Sequence, residues 1–239
     1  MVKLSIIIPT LNEEKHLPKL LGCIKNQTYR NYEVIVADGR SKDKTRQIAK
    51  KFGCRIVDGI GHPSKGRNNG VNHSKGRYIL FLDSDVLFDE KFLEISIREF
   101  EKRNLDAATF YATPLSENYL DRTLVSLFNL VMRAFQYSKP FAGAYAILVK
   151  KSLHDKISGF DEAMPLLDDS EYAQRASKVG KFRVINGKKV FISMRRLEMY
   201  GRINVTKTFL YHYIFKLLGR KVSPKLFKTT RFNYQFSYK

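Results

Sequence analysis

Apolar positions along the first hundred or so residues follow two rhythms. Short runs rich in β-branched and aromatic residues at 4–8, 32–37, 55–58 and 78–82 read as strands. Helical spacing near 13–26, 43–52, 64–74 and 90–103 predicts helices between or after them. This alternation predicts an α/β fold, a mostly parallel sheet flanked by helices. Ligands of such sheets bind beyond the carboxyl ends of the strands, so the residues that follow each strand are where chemistry belongs. Here they are Pro9-Thr10-Leu11-Asn12-Glu13-Glu14, Asp38-Gly39-Arg40-Ser41 and Asp83-Ser84-Asp85.

After about residue 105 the pattern changes. A strand at 107–112 precedes a strongly apolar helix at 120–135, a small-residue segment at 141–149, an acidic helix start at Asp168-Asp169-Ser170-Glu171 and a strand at 189–192. Three compositional units follow: 1–105, 106–200 and a tail at 201–239 that holds no Asp or Glu. In the tail Phe209, Leu210, Tyr213, Ile214, Leu217 and Leu218 share one helical face, with Lys207, His212, Lys216 and Arg220 elsewhere on the wheel. Such a basic amphipathic helix suits an anionic membrane interface, and the same pattern serves a helix packed on the body of the protein. The aromatic and basic residues beyond it are consistent with headgroup anchoring.

Length and charge narrow the picture. At 239 residues the chain buries a substantial core, and 44% hydrophobic with 28% charged residues is a folded composition. A net charge of +20 implies an anionic partner: a nucleotide, a phospholipid surface or nucleic acid. Cys23 and Cys54 lack metal-site spacing and read as buried free thiols of a reducing compartment. The apolar stretch at 4–8 ends at Pro9, too short for a secretion signal, and 120–135 is interrupted by Asp121, Arg122 and Arg133, too polar to span a bilayer. The expectation is a cytoplasmic protein, peripheral on the inner face of the cell membrane.

Asp83 and Asp85 flank the small Ser84 directly after a fully apolar run, and a strand pleat would point both carboxylates to one side. Two such oxygens suit a divalent cation, manganese or magnesium, that also holds a diphosphate. Read alone, the same letters are a turn with a helix cap.

In this order and spacing, Ser5 to Glu14, Val36 to Thr45, Gly66-Arg67-Asn68-Asn69-Gly70 and Phe81 to Asp85 resemble the opening half of family-two glycosyltransferases, which have a GT-A, Rossmann-like fold. The resemblance covers roughly residues 4 to 200. It makes 1–105 a nucleotide-sugar-binding half and 106–200 an acceptor and catalytic half of the same domain. It implies that Pro9, Thr10 and Glu13 line the nucleoside pocket, with Glu13 toward the ribose, and that Asp38 contacts the base. Lys65 and Arg67 become donor-side cations, and Ser84 lies between the metal ligands Asp83 and Asp85.

Further along, Phe141-Ala142-Gly143-Ala144-Tyr145, Ser158-Gly159-Phe160-Asp161-Glu162 and Leu167-Asp168-Asp169-Ser170 are similar to the family's acceptor loop, Gly-Gly-Phe-Asp-Glu segment and Glu-Asp pair. Two positions depart from it: Ser158 replaces a glycine and Asp168 a glutamate. The match implies that Gly143, Ala144 and Asp168 meet the acceptor, and that Asp169 is the general base of an inverting displacement. Without the resemblance, Asp168 to Glu171 read as an acidic helix start. Ser193-Met194-Arg195-Arg196 looks like a family element whose arginines hold phosphate oxygens.

The implied partners are a nucleotide-diphosphate sugar donor and a saccharide or lipid-linked acceptor at an anionic membrane surface. A hydroxyl acceptor needs a base, whereas a polyprenyl phosphate is already anionic and relies on the arginines. Leu87 stands where polyprenyl-phosphate mannosyltransferases would carry a further metal ligand, which favours the hydroxyl. Nucleic acid is not expected as a partner, since an RNA-binding module has no need of three acidic strand ends around one pocket.

Overall fold

The computed structural model of the protein describes residues 2–164, 167–207 and 211. Its first part runs β1 (Leu4–Thr10), α1 (Leu17–Lys25), β2 (Tyr32–Asp38), α2 (Thr45–Lys51), β3 (Arg55–Asp58), α3 (Pro63–Asn72) and β4 (Tyr78–Leu82). The second part follows as β5 (Val86–Leu87), α4 (Phe92–Lys102), β6 (Ala107–Pro114), α5 (Tyr119–Phe135), β7 (Ala146–Lys150), α6 (Lys151–Lys156), α7 (Asp168–Val179), β8 (Phe182–Ile192) and α8 (Arg195–Tyr200).

All strands join one sheet in the order β3-β2-β1-β4-β7-β6-β8-β5. The expected parallel core is β3-β2-β1-β4, and β6 and β8 are parallel as well. Antiparallel pairs join β4 to β7, β7 to β6 and β8 to β5. The small-residue segment at 141–149 therefore contains a central strand, and the strand expected at 189–192 is the end of one that starts at Phe182.

The sheet is buried on both faces, which is why β4 is apolar at every position. Alternation along β1 sends Ile6 and Ile8 into a core with Leu20 of α1 and Phe92 of α4, and Ile7 into a second core with Phe81, Phe160 and Tyr172. Each such buried side chain contributes about 1.5–3 kcal/mol. Helix α3 opens on Pro63, capped by His62, and lies so close to β1 that a Cβ at Gly70 would stand 2.4 Å from Ile7 Cγ2. That approach fixes where Ser64 and Arg67 end up.

Cys23 and Cys54 are free thiols, half-buried rather than buried as expected. The expected amphipathic face from Phe209 to Leu218 lies outside the described residues, apart from Tyr211. No helix among the described residues is long and apolar enough to cross a membrane.

Candidate active site

Strand β4 stops at Leu82, and Asp83-Ser84-Asp85 forms the turn into β5. A turn, not the expected strand pleat, therefore positions the two carboxylates. Because Val86 pairs with Ile192, Asp85 lies beside the residues that leave β8. Arg195 stands there with Nε 2.9 Å from Asp85 Oδ2, while Nη1 and Nη2 donate to Glu13 at 3.0 and 2.7 Å. Residues expected to meet ribose, metal and phosphate separately thus form one ionic cluster. Burial pushes the Asp85 carboxyl above the ordinary carboxylate range, the neighbouring charges of Asp83 and Glu13 add to this, and Arg195 opposes it. Burial also works against the charge on Arg195, but the bond to Glu13 and the charge of Asp85 win and hold its pKa above the usual value.

A second arginine links the two sides of the site. Arg67 is buried, with Nη2 donating to Asp83 at 2.9 Å and Nη1 to Asp168 at 3.0 Å. Its guanidinium carbon also lies 5.3 Å from the centre of the Phe160 ring. Ser64 Oγ donates to the same Asp168 oxygen at 2.6 Å. The carboxylate of Asp168 is thereby tied to α3. It lines the cavity with one oxygen held by Ser64 and Arg67.

Its neighbour is placed differently. Asp169 accepts from the backbone N–H of Ala144 at 2.8 Å and of Ser170 at 2.6 Å, with its side chain on the cavity wall. Burial and the adjacent charge of Asp168 push its carboxyl up to about 7, against the pull of the two N–H donors and Arg67. A carboxyl tuned near neutrality is suited to move a proton as a general base. The segment that supplies the Ala144 donor requires a glycine: a Cβ at Gly143 would fall 2.0 Å from the Tyr145 ring.

These groups surround one cavity of about 590 Å³. Pro9, Thr10, Glu13, Arg67, Asp83, Ser84, Asp85, Gly143, Ala144, Asp168, Asp169, Arg195 and Arg196 all line it. Two expected residues do not. Asp38 is buried beneath the wall, where its carboxylate accepts from Ser41 N and Oγ, Thr10 Oγ1 and Arg46 Nη1 and ties the loops after β1 and β2 together. Lys65 is exposed on the outer side of α3, since the turn that aims Ser64 and Arg67 inward aims it away. Sequence reasoning missed Ser64, and it missed that Leu124, Phe128, Val131 and Phe135 of α5 make the far wall beside Phe141 of the acceptor-loop resemblance.

Among the described residues no three His, Cys, Asp or Glu side chains form a complete cation cage. Asp83 and Asp85 nonetheless fit a hard cation that takes its other ligands from a diphosphate and water. Each is partly exposed to the cavity and uses one oxygen on an arginine.

Residues 5–158 match the pattern of glycosyl transferase family 2. The chain belongs to that family. The Streptococcus pneumoniae glycosyltransferase GlyA is 28% identical over 177 residues, which cover 65% of this chain and 25% of that protein. TarS of Staphylococcus aureus, a poly(ribitol-phosphate) β-N-acetylglucosaminyltransferase, is 30% identical over 136 residues, 53% of this chain and 21% of its own. A Campylobacter jejuni β-1,3-glucosyltransferase named for an undecaprenol-diphosphate-linked acceptor is 29% identical over 168 residues, 64% of this chain and 53% of its own. The chain thus spans about a quarter of the first two relatives and about half of the third. Among solved structures, the mannosyltransferase PcManGT of Pyrobaculum calidifontis, in complex with GDP-Man and Mn2+, superposes with a TM-score of 0.72 at 17% identity over 95% of this chain and 67% of its own. TarS 1–349 with UDP-GlcNAc gives 0.66 at 20% identity over 80% of this chain and 58% of its own. These likenesses establish for this family member the GT-A fold.

Proposed function

We propose that the protein is an inverting glycosyltransferase that moves a sugar from a nucleotide-diphosphate donor to an acceptor hydroxyl, the acceptor being lipid-linked or presented at the cytoplasmic face of a membrane. One observation carries this reading: a single cavity joins the Asp83, Asp85 and Arg195 cluster to a carboxyl, Asp169, held near neutral pKa. The first group is chemistry for a leaving diphosphate, the second for an attacking hydroxyl. Family membership and the donor complexes of the structural neighbours support it.

In this reading Glu13 and Thr10 face the nucleoside side of the donor, and Arg195 and Arg196 face the diphosphate, where guanidinium groups pair bidentately with phosphate oxygens. Asp83 and Asp85 would hold a manganese or magnesium ion, which supplies Lewis-acid neutralisation of charge on the departing diphosphate. Asp169 takes the proton from the acceptor hydroxyl as its oxygen attacks the anomeric carbon opposite the leaving group. One displacement inverts that carbon. The raised pKa of Asp169 favours a hydroxyl over a phosphate nucleophile, which would need no base. The undecaprenol-linked acceptor in the Campylobacter relative's name supports a lipid-borne acceptor.

A panel of uridine and guanosine diphosphate sugars, screened by thermal shift with and without manganese, tests the reading. A true donor raises the melting temperature as its occupancy grows, more so with the metal. A flat response across the whole panel overturns it.

A further inference from the structure

Helix α5 buries far less of its apolar surface than its sequence offers. Going round it, Asp121, Val125 and Met132 are buried, and Leu124, Val131 and Phe135 form the next sector, the apolar wall of the cavity. Beyond them lies a largely exposed sector: Leu120, Leu127 and Leu130 with Tyr119, between 57% and 79% exposed. Exposed Arg122 and Arg133 close the circle. The ordering matters more than the content, because the exposed ridge adjoins the cavity wall and Leu127 belongs to both. A continuous apolar surface runs from beside Asp169 to the outside of the molecule.

Across the cavity mouth the pattern repeats. Arg202 pairs with Asp121 through two hydrogen bonds of 2.7 and 2.9 Å and holds the chain after α8 against the start of α5. From there Met199 and Ile203 point outward, each 68% exposed, while Leu197 and Val205 face the cavity. Two separate elements thus place large apolar side chains around the same opening. Monomeric surfaces seldom carry such clusters without a use.

We infer that this ridge is a membrane-docking face: Leu120, Leu127 and Leu130 of α5 and Met199 and Ile203 seat in the interfacial layer of an anionic bilayer. The cavity then opens directly onto the lipid. Charge complementarity selects this occupant, since Arg122 and Arg133 border the ridge on the side away from the cavity, on a chain of net charge +20. Apolar side chains rimmed by cations bind an anionic interface through both burial and attraction. The inference rests on the proposed function only for the identity of what enters the cavity. Docking itself does not depend on it.

The test uses the full chain and vesicles of equimolar phosphatidylglycerol and phosphatidylcholine. With Cys23 and Cys54 replaced by serine, an environment-sensitive dye on Leu130→Cys should shift to the blue on vesicle addition, and a dye on Lys65→Cys, on the outer side of α3, should not. The double variant Leu120→Ser/Leu130→Ser should bind the vesicles about tenfold more weakly or worse, while its thermal shift with nucleotide sugar stays at the parent value. Unchanged vesicle affinity in that variant, or a dye at position 130 that stays in water while the protein floats with lipid, overturns the inference. So does a blue shift that appears without lipid and grows with protein concentration, which would make the ridge an interface between copies. Failure of every nucleotide sugar to bind, with the dye response intact, would remove the proposed function and leave the docking face standing.

Discussion

Arg195 spends all three guanidinium nitrogens on acids, two on Glu13 and one, at 2.9 Å, on Asp85. These partners come from opposite ends of the chain, Glu13 and Arg195 being 182 residues apart. Under the proposed function, the arginine is a resident cation where Glu13, Asp83 and Asp85 would otherwise repel an incoming diphosphate. Arg195→Ala should act with opposite signs on two ligands. Binding of a nucleoside diphosphate should weaken by about tenfold or more, as expected for loss of charge-assisted hydrogen bonds. Binding of manganese alone should tighten. Titration calorimetry of each ligand separately checks both signs, and equal losses for the two would contradict this role.

If Asp169 is the base proposed above, its removal should separate chemistry from binding. Asp169→Asn should reduce transfer by about 10² to 10⁴-fold, the usual worth of a positioned base, with donor affinity unchanged. Single-turnover transfer measured beside a donor titration gives the comparison. A fall in donor affinity equal to the fall in rate would assign Asp169 to binding instead.

The pH profile follows from the same carboxyl. With Asp169 raised to about 7, its basic form is scarce in acid, so transfer should climb about tenfold per pH unit up to neutrality and level off above it. Asp168→Asn removes the neighbouring negative charge and should slide the rise to lower pH.

Stability should respond in the reverse sense. The folded protein keeps the Asp169 proton across a range in which the unfolded chain, with a carboxyl near 4, has released it. The contribution of Asp169 to stability therefore falls as pH rises from about 4 to about 7. Asp169→Asn should lift the melting temperature above neutrality and leave it unchanged in acid, read by calorimetry at both ends. A gain that is independent of pH would point to packing rather than charge.

Arg67 answers to a different physics. It is buried between Asp83 and Asp168, and its loss strands two carboxylates in a poorly solvated place. Arg67→Ala should cost about 3–5 kcal/mol in denaturant unfolding. Arg67→Lys should recover only part of this, because a point charge does not span both acids as the planar fork does.

A single methyl group at Gly143 should disturb the wall that holds Asp169. In Gly143→Ala the new Cβ meets the Tyr145 ring, and relief must move either that ring or the backbone that offers the Ala144 N–H to Asp169. A stability cost of about 1–3 kcal/mol is expected, with a drop in transfer beyond what unfolding explains. Circular dichroism melts together with turnover separate the two.

Local signals were the legible ones. The strands at 55–58 and 78–82 fall where the apolar runs place them, and 4–8 and 32–37 extend by one or two residues as β1 and β2, since buried parallel strands announce themselves by content alone. Strand β7 hid in the 141–149 segment and β5 is two residues long. Both exist because a distant partner offers a hydrogen-bonding edge, which no window of sequence reveals. The site shows the same division. Residue types at strand ends pointed to Asp83 and Asp85, and the family resemblance to Asp169 at the start of α7, but the pairing of Arg195 with Glu13 and Asp85, and the inward burial of Asp38, depend on which strands meet. Lys65 and Arg67 lie two residues apart and face opposite ways because they sit on a helix.

Two paired residues, Val86 and Ile192, have a consequence for how the protein comes into being. Asp85 is translated long before Arg195, its counter-ion, which lies just beyond the strand that pairs with Val86. Until β8 docks, a nascent chain leaves Glu13 and Asp85 without that arginine and open to solvent cations. A contact of such long sequence separation is slow to form, so this ion cluster is completed late in folding, when the sheet is otherwise built.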